Sequence, residues 1–334
     1  MKKILILFAV AVFMPALLAI LTVTNLVPMP RETVVTFVIA MLPLFLAFPA
    51  AFSMQQYNKT ALAYGIAVAG LLYVSVSFYG IAIGLITALF GMLAGQDIAE
   101  KKSVGAVWMK FFLGFAATAV AAYAIYNKLT GQSVTHLLSV GLNFVSIQIT
   151  NSVQTLSAYT DTMPADMSVM NNIMSVYQEA PDALQQALPQ LKMILPAYLF
   201  LFSAILGYLT QWIVALLSKI LGKHPRYVPH FSHFHCNSAT VWVYFISMFA
   251  SFFTGEGSVM AYAFANLQTI VSFILTICAM SLIDFLLKRK HWKGILRILV
   301  MCGIWLISTS PLVSIVLTLL AFFDARANIR GFKD

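Results

Sequence analysis

The chain is laid out as long runs without a single charge, separated by short clusters of lysine and arginine. No other feature constrains its folding as strongly. Uncharged runs cover Ile4–Pro30, Thr33–Asn58, Thr60–Gln96, Phe111–Asn127, Met193–Ser218, Gly257–Ile283 and Ile298–Phe323. A helix needs about 20 apolar residues to cross the hydrocarbon of a bilayer, and most of these runs are long enough. Within lipid there is no water to satisfy the backbone, so each run is expected to close its hydrogen bonds as a helix. Composition agrees: 61% of the 334 residues are hydrophobic and 9% charged, whereas soluble domains run at about 45–50% and about 25%. A water-soluble enzyme, a disordered chain and a disulfide scaffold are excluded on these grounds. The expected fold is all-α, a polytopic transmembrane bundle of about ten spans with a helical extracytoplasmic insertion.

The cations set the threading. There are 20 Lys and Arg against 11 Asp and Glu, a formal charge of +9. In a soluble chain such a balance raises nucleic acid as a partner, but here the charges punctuate spans, and no nucleic acid is expected. Placing the N-terminus inside puts 17 of the 20 cations on the cytoplasmic side, leaving Arg31, Lys128 and Lys192 outside. That asymmetry predicts an inner membrane protein with both termini cytoplasmic. Lys2 and Lys3 precede an apolar run longer than the 7–15 residues of a signal-peptide core, so the run reads as a first span. The 37-residue run Thr60–Gln96 is too long for one span and is split near Ser75, Ser77 and Gly80. The spans expected are 4–27, 33–54, 60–76, 79–96, 104–127, 192–221, 238–254, 258–286, 292–308 and 310–324. Ser308, Ser310 and Pro311 mark the turn between the last two. Eight spans remain the alternative count.

Three regions follow: 1–127 with five membrane helices, an extracytoplasmic loop at 128–191, and 192–334 with about five more helices. The loop lacks Lys and Arg between 129 and 190 but carries Asp161, Asp166, Glu179 and Asp182. Val134, Leu137, Leu138, Leu142, Val145, Ile149, Val153 and Leu156 recur at helical spacing, the pattern of an amphipathic surface helix. Further helices are expected at 166–178 and 181–188, with Pro181 in the first turn of the latter. The loop reads either as a lid over an outward cavity or as a structural cap. None of the three cysteines lies in it, and no structural disulfide is expected.

Small residues form one stripe on the fourth span: Gly80, Gly84, Ala88, Gly91 and Gly95. Lipid offers no hydrophobic drive between helices, so close backbone approach through such stripes is a common route to association. The stripe predicts packing inside the chain or docking to another membrane subunit. Around the connector at 224–237 stand His224, His230, His233, His235 and Cys236. Imidazole and thiolate are good metal ligands, so His230, His233, His235 and Cys236 are weak metal candidates. The interleaved Pro225, Tyr227, Pro229, Phe231 and Phe234 instead suggest an interfacial connector, and no metal is assigned. Asp284 and Lys288 are spaced for an i, i+4 ion pair. Asn266 and Gln268, deep in the same span above Ser272 and Thr276, are candidate substrate-binding residues or inter-helix hydrogen bonders. The sequence holds neither G-x-x-x-x-G-K-[ST] nor G-x-S-x-G, and no cofactor or catalytic residue is assigned.

These features together resemble the YybS-like family of bacterial multi-pass membrane proteins. The resemblance is carried by Pro43-Leu44, the Gly91–Gly95 run before Lys101-Lys102-Ser103, and Leu195-Pro196. It continues through the connector from Pro229 to Phe234, the Asn266 helix, the basic turn 288–297, and the ending Asp324-Ala325 with Arg330. The family usually carries Trp and Pro where this chain has Phe234 and Asn237. It also carries Gly and Trp where Ala321 and Arg326 stand here. That family is distantly similar, over its first half, to the S components of energy-coupling factor transporters. The resemblance implies a small-molecule binding or transport component that works with other membrane subunits or an ATPase module. It is not expected to be an enzyme. The competing expectation is a non-transporting scaffold of a cell-envelope complex.

Overall fold

The computed structural model describes residues 31–55, 58–133, 168–223, 231–255, 258–308 and 310–331, with isolated positions in 16–24 and 136–147. Most of the expected first span at 4–27, most of the amphipathic stretch 134–156, and His224 and His230 lie outside the described residues. Among the described residues there is no strand. The α-helices among the described residues are, in chain order, α1 Arg31–Met54, α2 Asn58–Val76, α3 Phe78–Ala99, α4 Val104–Thr130, α5 Ser168–Ile220, α6 Ser238–Ser251, α7 Val259–Arg289, α8 Gly294–Ile307 and α9 Pro311–Ala327.

Six of these, α1 to α5 and α7, are long and apolar enough to cross a membrane. By contrast, α6 and α8 have 14 residues each and α9 has 17. At about 1.5 Å per residue, 14 residues reach roughly 21 Å, short of a hydrocarbon core of about 30 Å. Among the described residues, six of the ten expected spans meet both the length and the composition of a crossing, and the first, at 4–27, is not among the helices described. The run at 60–96 does break in two, at Ser77, whose φ of 70° lies in the left-handed half of backbone space. Near the C-terminus α8 ends at Ile307 and α9 opens on Pro311, which has no N–H to lose in a first turn.

A correction concerns α5. The separate helices expected at 166–178, 181–188 and 192–221 are one helix, Ser168–Ile220, with Pro181, Pro189 and Pro196 inside it. An interior proline costs about 3 kcal/mol. Between these prolines lie Ala, Leu, Gln, Lys and Met, the residues that lose least entropy in a helix, and they carry the chain through.

By internal packing the chain divides into two units, 1–122 with 197–334, and 123–196. In the first, Leu42, Leu46, Ala47, Ala50 and Ala51 of α1 pack with Ala94 of α3. Val107, Phe111 and Phe115 of α4 and Leu206, Val214 and Leu217 of α5 complete this core. Of the six long helices α1 is the most buried. Trp108 Nε1 donates to the Ala204 carbonyl at 3.1 Å and Gln211 Nε2 to the Val104 carbonyl at 3.2 Å, so polar side chains join α4 to α5. A second core joins Val241 of α6, Val271, Leu275, Cys278 and Ala279 of α7, and Leu317 and Ala321 of α9. No residue of α8 is buried, and it meets α7 through an edge-to-face contact of Trp305 with Phe273 at 5.8 Å. In the second unit, Gln132 accepts from the Tyr126 hydroxyl at 2.8 Å and from Asn127 at 3.1 Å, closing the end of α4.

Three helices of the first unit end in the same way. The N–H groups of Lys102, Lys223 and Trp292 reach back five residues to the carbonyls of Asp97, Ser218 and Leu287, at 3.0, 3.0 and 3.1 Å. The preceding residues, Lys101, Gly222 and His291, take φ of 57°, 76° and 58°. This left-handed cap satisfies the last carbonyls of α3, α5 and α7. It also sets cations at helix C-termini, where the helix dipole favours them.

Candidate functional site

The polar centre of the first unit is built around Arg330. Its side chain is 1% exposed and pairs with Asp324, 4% exposed, at 2.7 Å. A charge this deeply buried is tolerated only when paired and hydrogen-bonded. Arg330 Nε and Nη2 both donate to Asp324 Oδ2, at 2.9 and 2.7 Å. Nη1 donates to the Ser232 carbonyl at 2.9 Å and to Ser281 Oγ at 2.8 Å, and Nη2 to the Cys278 carbonyl at 3.1 Å. All five guanidinium N–H groups are thereby engaged. Ser281 Oγ in turn donates to the Phe231 carbonyl at 2.6 Å. One side chain thus ties together the 3-10 turn Phe231–His233, α7 and the segment after α9. Asn328 terminates α9 with φ of 44° and its N–H on the Asp324 carbonyl at 2.9 Å, which turns the chain back toward the bundle.

Beside this anchor lies a cavity of roughly 260 Å³ lined by His235, Cys236, Asn237, Ser238, Asp324, Ala325 and Asn328. Asn237 caps α6, its Oδ1 accepting from the Ala239 N–H at 2.6 Å. Cys236 is buried, with Sγ 3.8 Å from the Ala321 carbonyl. A hydrogen bond with the Cys278 thiol lowers the Cys236 pKa from its ordinary value. The arrangement sets a carboxylate, an imidazole, two amides and a hydroxyl around a small volume, donors and acceptors suited to a small polar molecule. Arg330, with every donor engaged, holds Asp324 in one wall of this cavity.

The residues singled out from the sequence fall in several places. Gly80, Gly84, Ala88, Gly91 and Gly95 are all buried. A Cβ on Gly80 would collide with the Leu72 carbonyl, and one on Gly84 would stand 2.7 Å from Ala69 Cα. At Gly91 and Gly95 it would meet the Leu46 and Ala50 carbonyls at 2.7 and 2.5 Å. Ala88 Cβ lies against Gly65. The stripe therefore seats α3 on α2 at one end and on α1 at the other.

Asn266 Oδ1 accepts from the Ala197 N–H at 2.8 Å, one residue past Pro196, while its Nδ2 donates to the Tyr262 carbonyl at 2.8 Å. Its amide thus joins α7 to α5 where a proline interrupts the helix ladder. Gln268 is half-buried, and Thr276 Oγ1 donates to the Ser272 carbonyl of its own helix at 3.0 Å. Of the metal candidates, His233 and His235 are exposed, with His235 Nδ1 3.3 Å from the His233 carbonyl, and Cys236 is buried. Among the described residues no three His, Cys, Asp or Glu side chains converge as a metal site. Asp284 faces Arg297, with Nε 3.1 Å from Oδ1 but off the hydrogen-bonding direction, rather than Lys288. Lys288 sits in the last turn of α7 and is exposed.

Two acids had no partner legible in the sequence. Asp97, buried at the end of α3, pairs with Lys102 at 2.8 Å. Asp324 meets an arginine six residues on through the αL turn at Asn328, a reversal that helical spacing does not describe.

No curated protein and no solved structure matches the chain. A family described as predicted membrane protein (DUF2232) matches residues 16–325. That match runs from the first apolar run to the helix that carries Asp324, and the chain belongs to this family of multi-pass helical membrane proteins.

Proposed function

We propose that this protein is a membrane-embedded small-molecule binding or transport component that works with partner subunits and lacks an ATPase and catalytic activity of its own. The observation that supports this is the polar cavity beside the Asp324–Arg330 pair. Ionisable groups buried in membrane bundles are costly and mark functional sites by default. In the threading that follows from the cation count, ten spans place both termini and the cavity on the cytoplasmic side and residues 128–191 outside. In that arrangement α6, α8 and α9 are short spans. The partner class in this proposal, a separate membrane subunit with ATPases, is the one that the sequence resemblance to S components implies.

The test is a thermal-shift screen of the purified protein in nanodiscs, with mass spectrometry of co-purified small molecules. A ligand is expected that stabilises the wild-type protein and loses that effect in His235→Ala and Ser238→Ala, both of which leave Asp324 and Arg330 in place. A consistently empty cavity and no stabilising compound would sink this reading and leave the scaffold alternative.

A further inference from the structure

The turn that joins α7 to α8 carries Lys288, Arg289, Lys290, His291 and Lys293 within six residues, all exposed. Among the described residues none of these lysines, nor Arg289, forms an ion pair. The nearest carboxylate along α7, Asp284, is already faced by Arg297. The left-handed cap at His291 reverses the chain and presents Trp292, 44% exposed, between Arg289 and Lys293 in sequence. Indole rings favour the headgroup level of a bilayer. Next comes the start of α8, where Lys293 stands at the N-cap without a side-chain hydrogen bond, so its side chain caps none of the first N–H groups. Such a helix start favours phosphate. The wall beyond is apolar and uncovered by protein: Ile295 is 75% exposed, Ile298 64% and Leu299 61%.

We propose that this turn and the first turns of α8 form a binding site for an anionic phospholipid, whose phosphate meets Lys288, Arg289, Lys290 and Lys293 and whose acyl chains lie along α8. Unpaired cations, a helix start without a side-chain cap, an interfacial tryptophan and an adjoining apolar wall match the two halves of such a lipid. A soluble phosphate compound would use the first half and leave the second without a role.

The purified full-length protein in detergent is offered equimolar phosphatidylglycerol and phosphatidylcholine, and bound lipids are counted by native mass spectrometry. The wild-type protein is expected to retain phosphatidylglycerol in excess. A variant with Lys288→Gln, Arg289→Gln, Lys290→Gln and Lys293→Gln is expected to lose that preference by about tenfold or more, since each cation near an anionic surface contributes about fivefold. A Lys219→Gln, Lys223→Gln variant at the end of α5 is expected to keep it. Equal loss in that control, or an unchanged preference in the quadruple variant, would overturn the proposal. Displacement of the lipid by millimolar inorganic phosphate would overturn it too. If the quadruple variant does not fold, a salt titration of the wild-type protein decides. The preference must fall as ionic strength rises from about 50 to about 500 mM, and salt independence refutes it.

Discussion

Replacing Arg330 by methionine is the most demanding test of the buried anchor. The substitution keeps an unbranched stem but removes the guanidinium and its charge. It leaves Asp324, 4% exposed, as a buried carboxylate without its cation. It also strips donors from the Ser232 and Cys278 carbonyls and from Ser281 Oγ. Breaking a buried pair by removing one partner costs about 3–5 kcal/mol, most of it from the stranded charge. Adding Asp324→Leu should recover a large part of that loss, because no charge is then left without a partner. A coupling energy of about 2 kcal/mol is expected for groups in direct contact. The assay is reversible unfolding of the purified protein by sodium dodecyl sulfate in mixed micelles, read by circular dichroism for the wild-type, both single variants and the double. If Arg330→Met lies within about 0.5 kcal/mol of wild type, or the two single effects simply add, the pair is not the anchor described here.

Other positions give independent checks. Gly95→Ala forces a Cβ to 2.5 Å from the Ala50 carbonyl and 2.7 Å from Ala50 Cα, and should destabilise by about 1–3 kcal/mol. Gly70→Ala meets nothing within 4 Å and should stabilise by up to about 1 kcal/mol through helix propensity. The same unfolding titration separates the two. Asn266→Ala removes the hydrogen bond to Ala197 and should cost about 0.6–2 kcal/mol. A wild-type unfolding midpoint would show that the Asn266 amide contributes nothing to the junction of α5 and α7.

At the α3 cap, the hydrogen bond from Lys102 holds Glu100 below its ordinary 4.5, and those to Asp97 and Glu100 raise Lys102 above 10.5. Glu100's contribution is present above its ordinary value and is lost as pH falls through its lower folded value. That of Lys102 is present below its ordinary value and is lost as pH rises through its higher one. The thermal midpoint of wild type minus that of Glu100→Gln should therefore be level from about pH 5 to about pH 10 and shrink on both sides.

Much of this molecule is legible in one dimension because a bilayer imposes a one-dimensional rule. A run without charge long enough to cross hydrocarbon must be helical, and cations must sit at its ends. The sequence by itself therefore determined an all-helical membrane protein, the breaks near Ser77 and Ser310, and the basic turns at 101–102, 219–223 and 288–293. It also determined that Gly80, Gly84, Ala88, Gly91 and Gly95 share one face, since helical period alone places them. It could not say what that face meets. The approach of Gly84 to Ala69 and of Gly95 to Ala50 depends on how three helices nest.

Pairing beyond a helix turn was likewise decided only in three dimensions. Asp284 has Lys288 one turn away, yet a lysine at a helix end reaches outward to the headgroup level at little cost, and Arg297 comes across from α8 instead. The separate helix starts expected at 181 and 192 vanish inside α5, where the surrounding residues favour helix and Asn266 meets the backbone just past Pro196. Arg330 stands six residues from Asp324, 49 from Ser281 and 98 from Ser232. No local period links those separations. Only the folded chain brings them together, because a buried guanidinium must find an acceptor for every donor wherever the packed helices place one.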